Sequence, residues 1–426
     1  MKTVFKNGTL LLPNHSFATG HVVVEGDRLA AILTKGEPVP AADRVLDCTD
    51  HLVMPGLINA HGHTPMTLVR GLGGGLPLQR WLDEAIFPVE ARMTPADIAA
   101  GMTWGAIEMA AGGTTTVADM YDFPQAGGAA LAAFGLRAHF CRVGLAFAPD
   151  VPPNRLKECV DYAAATVPEE KGLITHDFCL HSEYLTNEAF CRGLAEANRS
   201  LKRRVHVHVS ETESEHKASL ERHGKTPMAY LASLGVFDYG GYVAHGVWCT
   251  DDDFRLMKDL DVALVHNPTS NMKLGSGFAR VARALELGVT VALGTDGCAS
   301  NDNLDLFEEM HLAALLAKGV SRDPTALSAW EVIDMATANG ARALGRTDIG
   351  RLAVGGCADL CVVDLRRPHL TPALDLANLI VYSMHASDVV WTMGGGRLVY
   401  DQGAFPTIDF AAAKAEFEAA VKRIGL

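Results

Sequence analysis

Short apolar segments alternate with helical segments through the middle of the chain, and this alternation restricts the fold more than any other feature. The apolar runs lie at 57–63, 115–121, 139–146, 173–181, 204–210, 242–246, 262–267 and 289–296. Helical patterns separate them, for example at 96–111, 155–166, 187–198, 252–260 and 304–316. Strands that alternate with helices form a parallel sheet. Eight of them in one chain predict an α/β fold, a (β/α)8 TIM-type barrel.

The two ends of the chain differ from this middle region. Strand-like runs with turns occupy 21–24 and 29–33, and the same texture returns at 358–365 and 389–393. Each end is too small to build a core of its own, so we expect both to form one small β-sandwich. The predicted domains are therefore a composite sandwich of residues 1–55 and 355–426, and a barrel of residues 56–354.

Composition and charge exclude several classes of protein. The 426 residues include 37 Lys plus Arg against 50 Asp plus Glu, a net charge of -13. We expect no nucleic-acid partner, because binding phosphates requires a concentrated basic surface. No apolar stretch is long enough for a membrane helix, and the first residues do not form a signal peptide. The nine scattered cysteines contain no Cys-x-x-Cys pair, which favours a reduced, cytoplasmic protein without a disulfide framework.

Polar side chains gather at the carboxyl ends of the predicted strands, where barrel enzymes hold their active sites. They are His61, His63, Asp119, Arg142, His181, His208, His245, Asn267 and Asp296. A purely structural role would favour apolar or small residues at many of these points. We therefore place a functional site at this end of the barrel.

Two His-x-His pairs suggest a metal site. His61 and His63 point to the same face of one strand, so both imidazoles can reach one ion. In the second pair, His208 lies nearer the strand end and is the better ligand, whereas His206 lies deeper and fits a supporting or packing role. Asp296 follows an apolar run, where a carboxylate needs a cation or else caps the next helix. Three imidazoles and one carboxylate leave a coordination position open for water, as catalytic sites do.

The remaining strand-end histidines are open to several roles. His245, at the end of the sixth predicted strand, is open to three roles: a metal ligand, a donor that orients another group, or a polar residue that ends the strand. The same three roles are open for His181, at the end of the fourth predicted strand. No lysine ends the fourth strand, since Lys171 precedes it. A bridging modified lysine is therefore absent, and we expect one divalent ion. The ligand set suits Zn²⁺ but does not exclude Fe²⁺ or Mn²⁺.

The segment from Met54 to His63, Met-Pro-Gly-Leu-Ile-Asn-Ala-His-Gly-His, resembles the opening motif of the amidohydrolase superfamily. Segments 81–90, 208–212, 266–274 and 294–301 resemble the branch of 5′-methylthioadenosine/S-adenosylhomocysteine deaminases and triazine hydrolases. The resemblance implies a metal held by His61, His63, His208 and Asp296. It implies that Asp296 accepts a proton from water, that His245 orients the nucleophile, and that Glu211 shuttles protons. It implies ribose contacts from Glu90 and His181.

The implied activity is hydrolytic deamination of an adenosine-type nucleoside with release of ammonia. The alternatives are another small aminated heterocycle (guanine, a pterin or an s-triazine) and a non-catalytic scaffold. The chain departs from the family pattern at Ser182-Glu183-Tyr184 and at Gly73-Gly74-Gly75, both on the substrate side. Either Arg142 or Arg155 matches the family's substrate-side arginine. We also expect a homo-oligomer.

Overall fold

The computed structural model describes residues 1–146, 154–167 and 172–426. Lys171 lies outside these ranges. The strands are β1 (Lys2–Leu12), β2 (Ser16–Glu25), β3 (Arg28–Thr34), β4 (Arg44–Asp47), β5 (His51–Pro55), β6 (Leu57–His63), β7 (Thr114–Tyr121), β8 (Arg137–Arg142), β9 (Ile174–His176), β10 (Phe178–Ser182), β11 (Val205–Val209), β12 (Gly241–His245), β13 (Val262–His266), β14 (Val291–Leu293), β15 (Asp296–Gly297), β16 (Leu360–Asp364), β17 (Val389–Gly394) and β18 (Arg397–Asp401).

The helices are α1 (Leu78–Arg80), α2 (Phe87–Glu90), α3 (Pro95–Ala111), α4 (Pro124–Phe134), α5 (Arg155–Ala164), α6 (Glu188–Leu201), α7 (Glu213–His223), α8 (Pro227–Ser233), α9 (Asp251–Asp259), α10 (Pro268–Lys273), α11 (Val281–Glu286), α12 (Cys298–Asn301), α13 (Leu306–Ser321), α14 (Ala329–Ala336), α15 (Ala338–Ala343), α16 (Leu376–Tyr382) and α17 (Phe410–Arg423). Short 3-10 helices lie at Thr64–Val69, Pro368–Leu370 and Ala386–Asp388, and a π-helix at Trp81–Ile86. Local signals start several helices. Thr94 and Asp97 form a capping box at α3, which satisfies backbone donors that the helix leaves free.

The central strands form two five-stranded parallel sheets, ordered β10-β11-β12-β13-β14 and β15-β6-β7-β8-β9. Only Asp177 separates β9 from β10, and only Gly294 and Thr295 separate β14 from β15. The fourth and the eighth predicted strands therefore each contribute to both sheets. This arrangement is a TIM-barrel-like α/β fold, which confirms the predicted class.

Two predicted strands differ in extent from the observed ones. The third ends at Arg142, and beyond it Gly144 keeps contact with the fourth strand by accepting a hydrogen bond from the His181 N–H (2.9 Å). The eighth predicted strand is interrupted at Gly294 and Thr295. There the Asn59 side chain forms the hydrogen bonds that the backbone of a neighbouring strand would otherwise form. It accepts from the Thr295 N–H (3.0 Å) and donates to the Thr295 hydroxyl (2.7 Å).

Both chain ends join one eight-stranded sheet, ordered β18-β17-β16-β5-β1-β2-β3, with β4 paired to β1. The join is the antiparallel pair of β5 and β16. This sheet has an apolar core of its own, and it includes Phe5, Val22, Leu46, Val53, Val362, Trp391 and Leu398. The composite β-sandwich of residues 1–55 and 355–426 stays a prediction.

A buried ion pair fastens the central sheets to the sheet of the chain ends. The Arg137 Nε at the start of β8 donates to Asp359 Oδ2 (2.5 Å), and the two side chains are 5% and 1% exposed. Asp359 Oδ1 accepts from the Gly395 N–H (2.6 Å). Because both charges are withdrawn from water, each depends on the other for compensation.

We predict that Arg137→Met lowers the free energy of unfolding by about 3–5 kcal/mol, because it leaves the Asp359 carboxylate buried without its counter-charge. Urea denaturation measures the change. The matched control is Lys157→Ala, which removes one partner of the exposed pair with Asp161 and should cost less than about 1 kcal/mol. Equal losses for the two variants would contradict the structural role of the buried pair.

Candidate active site

Four of the predicted site residues converge at the carboxyl ends of the central strands. His61 and His63 come from β6, His208 from β11 and Asp296 from β15, and their ligand atoms all lie within 4.8 Å of one another. Asp296 Oδ1 is 3.1 Å from His61 Nε2 and 3.2 Å from His63 Nε2. The Nε2 atoms of His63 and His208 are 3.2 Å apart. The structure therefore brings the predicted ligand set together around one point.

Each imidazole is held by its outward nitrogen. The Nδ1 of His63 bonds to the Met120 carbonyl and that of His208 to the His181 carbonyl, both at 2.6 Å. The Nδ1 of His61 instead bonds to a side chain, His206 Nε2, at 2.8 Å. A ring that donates from Nδ1 keeps the lone pair of Nε2 directed at the common point, which is the usual arrangement around a bound metal.

The Asp296 carboxylate is fixed from the opposite side. Its Oδ2 accepts from the hydroxyls of Ser270 (2.6 Å) and Ser300 (2.8 Å), which leaves Oδ1 facing the imidazoles. The backbone at Asp296 has a φ of 61°, a left-handed conformation that is uncommon for a residue with a side chain and concentrates at functional sites. Gly294 is required beneath it, since a Cβ there would lie 2.6 Å from Asn267 Oδ1.

The electrostatics of this cluster fit a cation. Burial by itself raises the pKa of Asp296, but hydrogen bonds from His61 and His63 hold that pKa well below its usual range. Burial disfavours a charge on His63, yet Asp296 outweighs it and raises the His63 pKa to about 9. Burial prevails at His61 and lowers its pKa to about 4. The buried carboxylate thus attracts one positive charge, and three imidazole nitrogens with one oxygen suit a divalent transition metal.

Glu211 and His245 form a second pair beside the cluster. His245 Nε2 lies 3.8 Å from Glu211 Oε2, and its Nδ1 bonds to Asn271 Oδ1 at 2.8 Å. Burial raises the pKa of Glu211, and His245 partly opposes the rise. A carboxyl group whose protonated form is favoured in this way is suited to take up and release a proton.

One cavity of about 770 Å³ joins these groups. The predicted catalytic, metal-ligating and substrate-contacting residues all line it except His61, which is fully buried. Two other polar strand-end residues, Asp119 and Asn267, are also fully buried and do not line it. Apolar side chains form much of the remaining wall, among them Leu82, Phe87 and Tyr121. A concave, largely apolar site with a few polar groups is typical of small-molecule binding.

The two predicted substrate contacts, Glu90 and His181, also face this cavity. Glu90 is the last residue of α2, which directly continues the π-helix before it. Its Oε1 accepts from the Tyr121 hydroxyl at 2.5 Å, and burial raises its pKa. Burial lowers the pKa of His181 to about 3, so its ring is neutral.

Both candidate arginines, Arg142 and Arg155, line the cavity and both are paired with Asp122. The sequence departs from the family pattern directly after His181, and one residue there, Glu183, has a structural contact. Its carboxylate binds Arg222 Nη2 and His223 Nε2, each at 2.6 Å.

A model of the amidohydrolase family matches residues 52–399. The chain belongs to the amidohydrolase family. A 5′-deoxyadenosine deaminase of Methanosarcina mazei is 43% identical over 89% of this chain and 88% of its own. A 5-methylthioadenosine/S-adenosylhomocysteine deaminase of Acetivibrio thermocellus is 40% identical over 90% and 89%. The crystal structure of an adenosine deaminase from Xanthomonas campestris with bound zinc is 33% identical, with a TM-score of 0.93 over 99% of this chain and 98% of that one.

Family membership confirms the resemblance drawn from the sequence, yet several supporting residues of this amidohydrolase could not be recognised there. Ser270 and Ser300 hold Asp296, and Asn271 holds His245. No motif or regular spacing in the sequence distinguishes these serines and this asparagine from others. Only the position of 270 and 271 directly after a strand with a polar end hints at their role.

We predict that His206→Phe weakens zinc affinity by about 10–100-fold, the usual cost of losing an outer partner of a metal ligand. Phenylalanine keeps a ring beside Tyr242, whose ring centroid is 4.3 Å from that of His206, but loses the hydrogen bond to His61. Competition with a chelator measures the affinity, and wild-type protein should bind one equivalent. His15→Phe is the control, because it likewise keeps a ring beside an aromatic partner, Trp330 (5.0 Å), and loses a hydrogen bond, to Asp334 (3.0 Å), but on an exposed histidine outside the ligand set. An unchanged affinity in His206→Phe would refute this role.

Proposed function

We propose that this chain is a metal-dependent hydrolytic deaminase, an aminohydrolase that acts on the C–N bond of a cyclic amidine and releases ammonia from an adenosine-type nucleoside. The observation that carries the proposal is the single cavity that joins Glu211, His245 and Asp296 to the carboxylate of Glu90. The names of the similar proteins support it, since each is called a deaminase of adenosine or of a 5′-modified adenosine.

The proposed metal ligands are His61, His63, His208 and Asp296. We propose Zn²⁺ as the ion, with Fe²⁺ or Mn²⁺ as alternatives that the same nitrogen and oxygen ligands accept. When bound, the ion supplies a water molecule of lowered pKa.

The protein side chains then divide the proton transfers. Asp296 takes the proton that the attacking water loses, because Ser270 and Ser300 hold its Oδ2 and leave Oδ1 facing the cluster. His245, held through Asn271, directs the nucleophile at the amino-bearing ring carbon. Glu211 protonates the adjacent ring nitrogen, which makes that carbon electrophilic. Asp296 passes its proton to the amine as the carbon–nitrogen bond breaks, the new hydroxyl group gives its proton back to Glu211, and ammonia leaves.

The ribose is assigned to Glu90 and His181. The Tyr121 hydroxyl occupies Oε1 of Glu90, so Oε2 is available to accept from a 2′- or 3′-hydroxyl. A nucleoside uses this group, whereas a free guanine, pterin or triazine leaves it unpaired at a cost in binding. The complete catalytic set also argues against a non-catalytic scaffold.

The proposed function comes with a proposed division of the chain into two domains. We propose that the two parallel sheets close as one eight-stranded (β/α)8 barrel within residues 56–354. Residues 1–55 and 355–426 would then form the composite β-sandwich.

The nine cysteines are buried thiols, which supports a reducing compartment such as the cytoplasm. Within the described residues, no helix has both the length and the apolar character needed to cross a membrane.

We predict that Glu211→Gln keeps the metal but lowers kcat by roughly 100-fold or more, the scale of lost general acid–base catalysis. Ammonia release and metal content are measured on the same preparation. Glu213→Gln is the control, since Glu213 is a nearby surface carboxylate paired with Lys217. Near-normal turnover with the metal retained would remove Glu211 from the mechanism.

A second prediction concerns the ribose. We expect wild-type protein to deaminate 5′-methylthioadenosine, S-adenosylhomocysteine or adenosine with a far higher kcat/KM than free adenine, and Glu90→Ala to narrow that gap. The reason is the lost partner for a sugar hydroxyl. Glu84→Ala, which removes a surface carboxylate paired with Arg80, should leave the ratio unchanged. If adenine, guanine, a pterin or a triazine reacts best with the wild type, the nucleoside assignment is wrong.

A further inference from the structure

The segment that carries Glu211 is a short turn between a strand and a helix. Ser210, Glu211 and Thr212 connect β11 to α7. The backbone at Ser210 has a φ of 51°, a left-handed conformation that costs energy in a residue with a side chain. Such a conformation persists only where the surrounding structure holds it. The contacts of this turn therefore decide where the Glu211 carboxyl group lies.

One buried carboxyl group holds the turn from the helix side. Glu215 lies in the first turn of α7 and is 8% exposed. Its Oε1 accepts a hydrogen bond from the Ser210 N–H (2.9 Å), and its Oε2 accepts one from the Glu211 N–H (2.7 Å). The spacing of Thr212 and Glu215 is that of a capping box, in which the acid returns to the backbone of the N-cap residue. Here each oxygen binds a residue that precedes the N-cap, so Glu215 fixes two successive peptide units.

The other side of the turn is held by the segment that follows His245. The Ser210 carbonyl accepts a hydrogen bond from the Trp248 N–H (3.0 Å), and Trp248 comes three residues after His245, the last residue of β12. The backbone before Glu211 is thus bound to Glu215 through its N–H groups and to the end of β12 through a carbonyl. These contacts set the position of Glu211 relative to His245.

Glu215 acts from outside the cavity. It does not line the cavity, whereas Glu211 does, so any effect of Glu215 on a reaction there passes through the residues that it binds. Burial, together with the charge of Glu211, raises the pKa of Glu215 to about 8, and the N–H groups of Glu211 and Ser210 oppose the rise. Both protonation states accept from two N–H groups, because a carboxyl oxygen that carries a proton retains a lone pair. A glutamine in the same place offers only one acceptor atom.

We propose that Glu215 is a positioning residue, which holds the Glu211 carboxyl group in place for proton transfer through the backbone N–H groups of Ser210 and Glu211. This inference rests on the proposed function and adds to it a residue that does not contact the substrate. Loss of the two acceptors frees the turn to leave its left-handed conformation, and the Glu211 carboxyl group then moves. The consequence falls on the chemical step, since a displacement of about 1 Å costs up to roughly 100-fold in rate.

The test measures kcat and KM for 5′-methylthioadenosine in wild-type protein, Glu215→Ala and Glu215→Gln. We expect Glu215→Ala to lower kcat by roughly 10–100-fold and to leave KM and zinc affinity unchanged, as a loss of positioning predicts. Glu215→Gln keeps one acceptor and should recover part of kcat. The control is Glu331→Ala, which removes a glutamate from the same position of α14, where its Oε2 accepts from the Ser328 N–H (2.7 Å). This control should keep the wild-type kcat and KM.

A double-mutant cycle separates positioning from a general structural role. If Glu215 acts through Glu211, adding Glu215→Ala to Glu211→Gln should leave kcat at the value of Glu211→Gln, because residues that act as one unit are not additive. A further fall by the factor seen in the wild-type background would overturn the proposal. So would a wild-type kcat in Glu215→Ala, or an effect confined to KM. If Glu215→Ala does not fold, Glu215→Gln completes the same cycle.

Failure of the proposed function looks different, since the wild-type protein would then release no ammonia from adenosine or 5′-methylthioadenosine. Hydrogen exchange of the peptide that contains residues 210 and 211 still decides the role of Glu215 in that case, because amides that lose their acceptor exchange faster. We expect faster exchange of this peptide in Glu215→Ala and the wild-type rate in Glu331→Ala. Unchanged exchange in Glu215→Ala would show that Glu215 does not hold the turn.

Discussion

A carboxylate buried among imidazoles is the interaction on which the rest of this structure depends. Asp296 is 5% exposed, and an ionised group so far from water must find positive charge or hydrogen bonds. Two serine hydroxyls satisfy one of its oxygens, and the imidazoles of His61 and His63 meet the other. The left-handed backbone at Asp296 and the glycine two residues before it are local costs of placing the carboxylate there. A divalent cation in the same place would satisfy the whole cluster at once.

Two carboxyl groups in one cavity are driven in opposite directions by their surroundings. Asp296 stays ionised because it accepts hydrogen bonds from imidazoles, whereas burial makes the protonated form of Glu211 easier to reach. This separation is the physical basis for assigning different proton-transfer tasks to two residues of similar chemistry. His245 is placed beside Glu211, because Asn271 holds its Nδ1 and its Nε2 faces the Glu211 carboxylate.

A second balance of charges lies along the cavity wall, at Arg142 and Arg155. Two arginines in a substrate cavity normally indicate an anionic ligand, because a guanidinium group matches carboxylates and phosphates. Here each is matched by carboxylates of the protein itself. Each guanidinium group therefore has a carboxylate counter-charge within the protein.

The sequence by itself determined the alternation of strands and helices, the placement of polar residues at strand ends, and the candidate ligands. These follow from short-range rules, since residues two apart on a strand share a face and parallel strands bring their carboxyl ends together. The tertiary structure decided the rest. The tertiary contacts are the bond from His61 to His206, the bond from Ser270 to Asp296, and the pairing of Arg142 and Arg155 with Asp122. They join elements that are separated in the chain. No local pattern encodes such contacts, because they depend on which surfaces the packed elements turn towards one another.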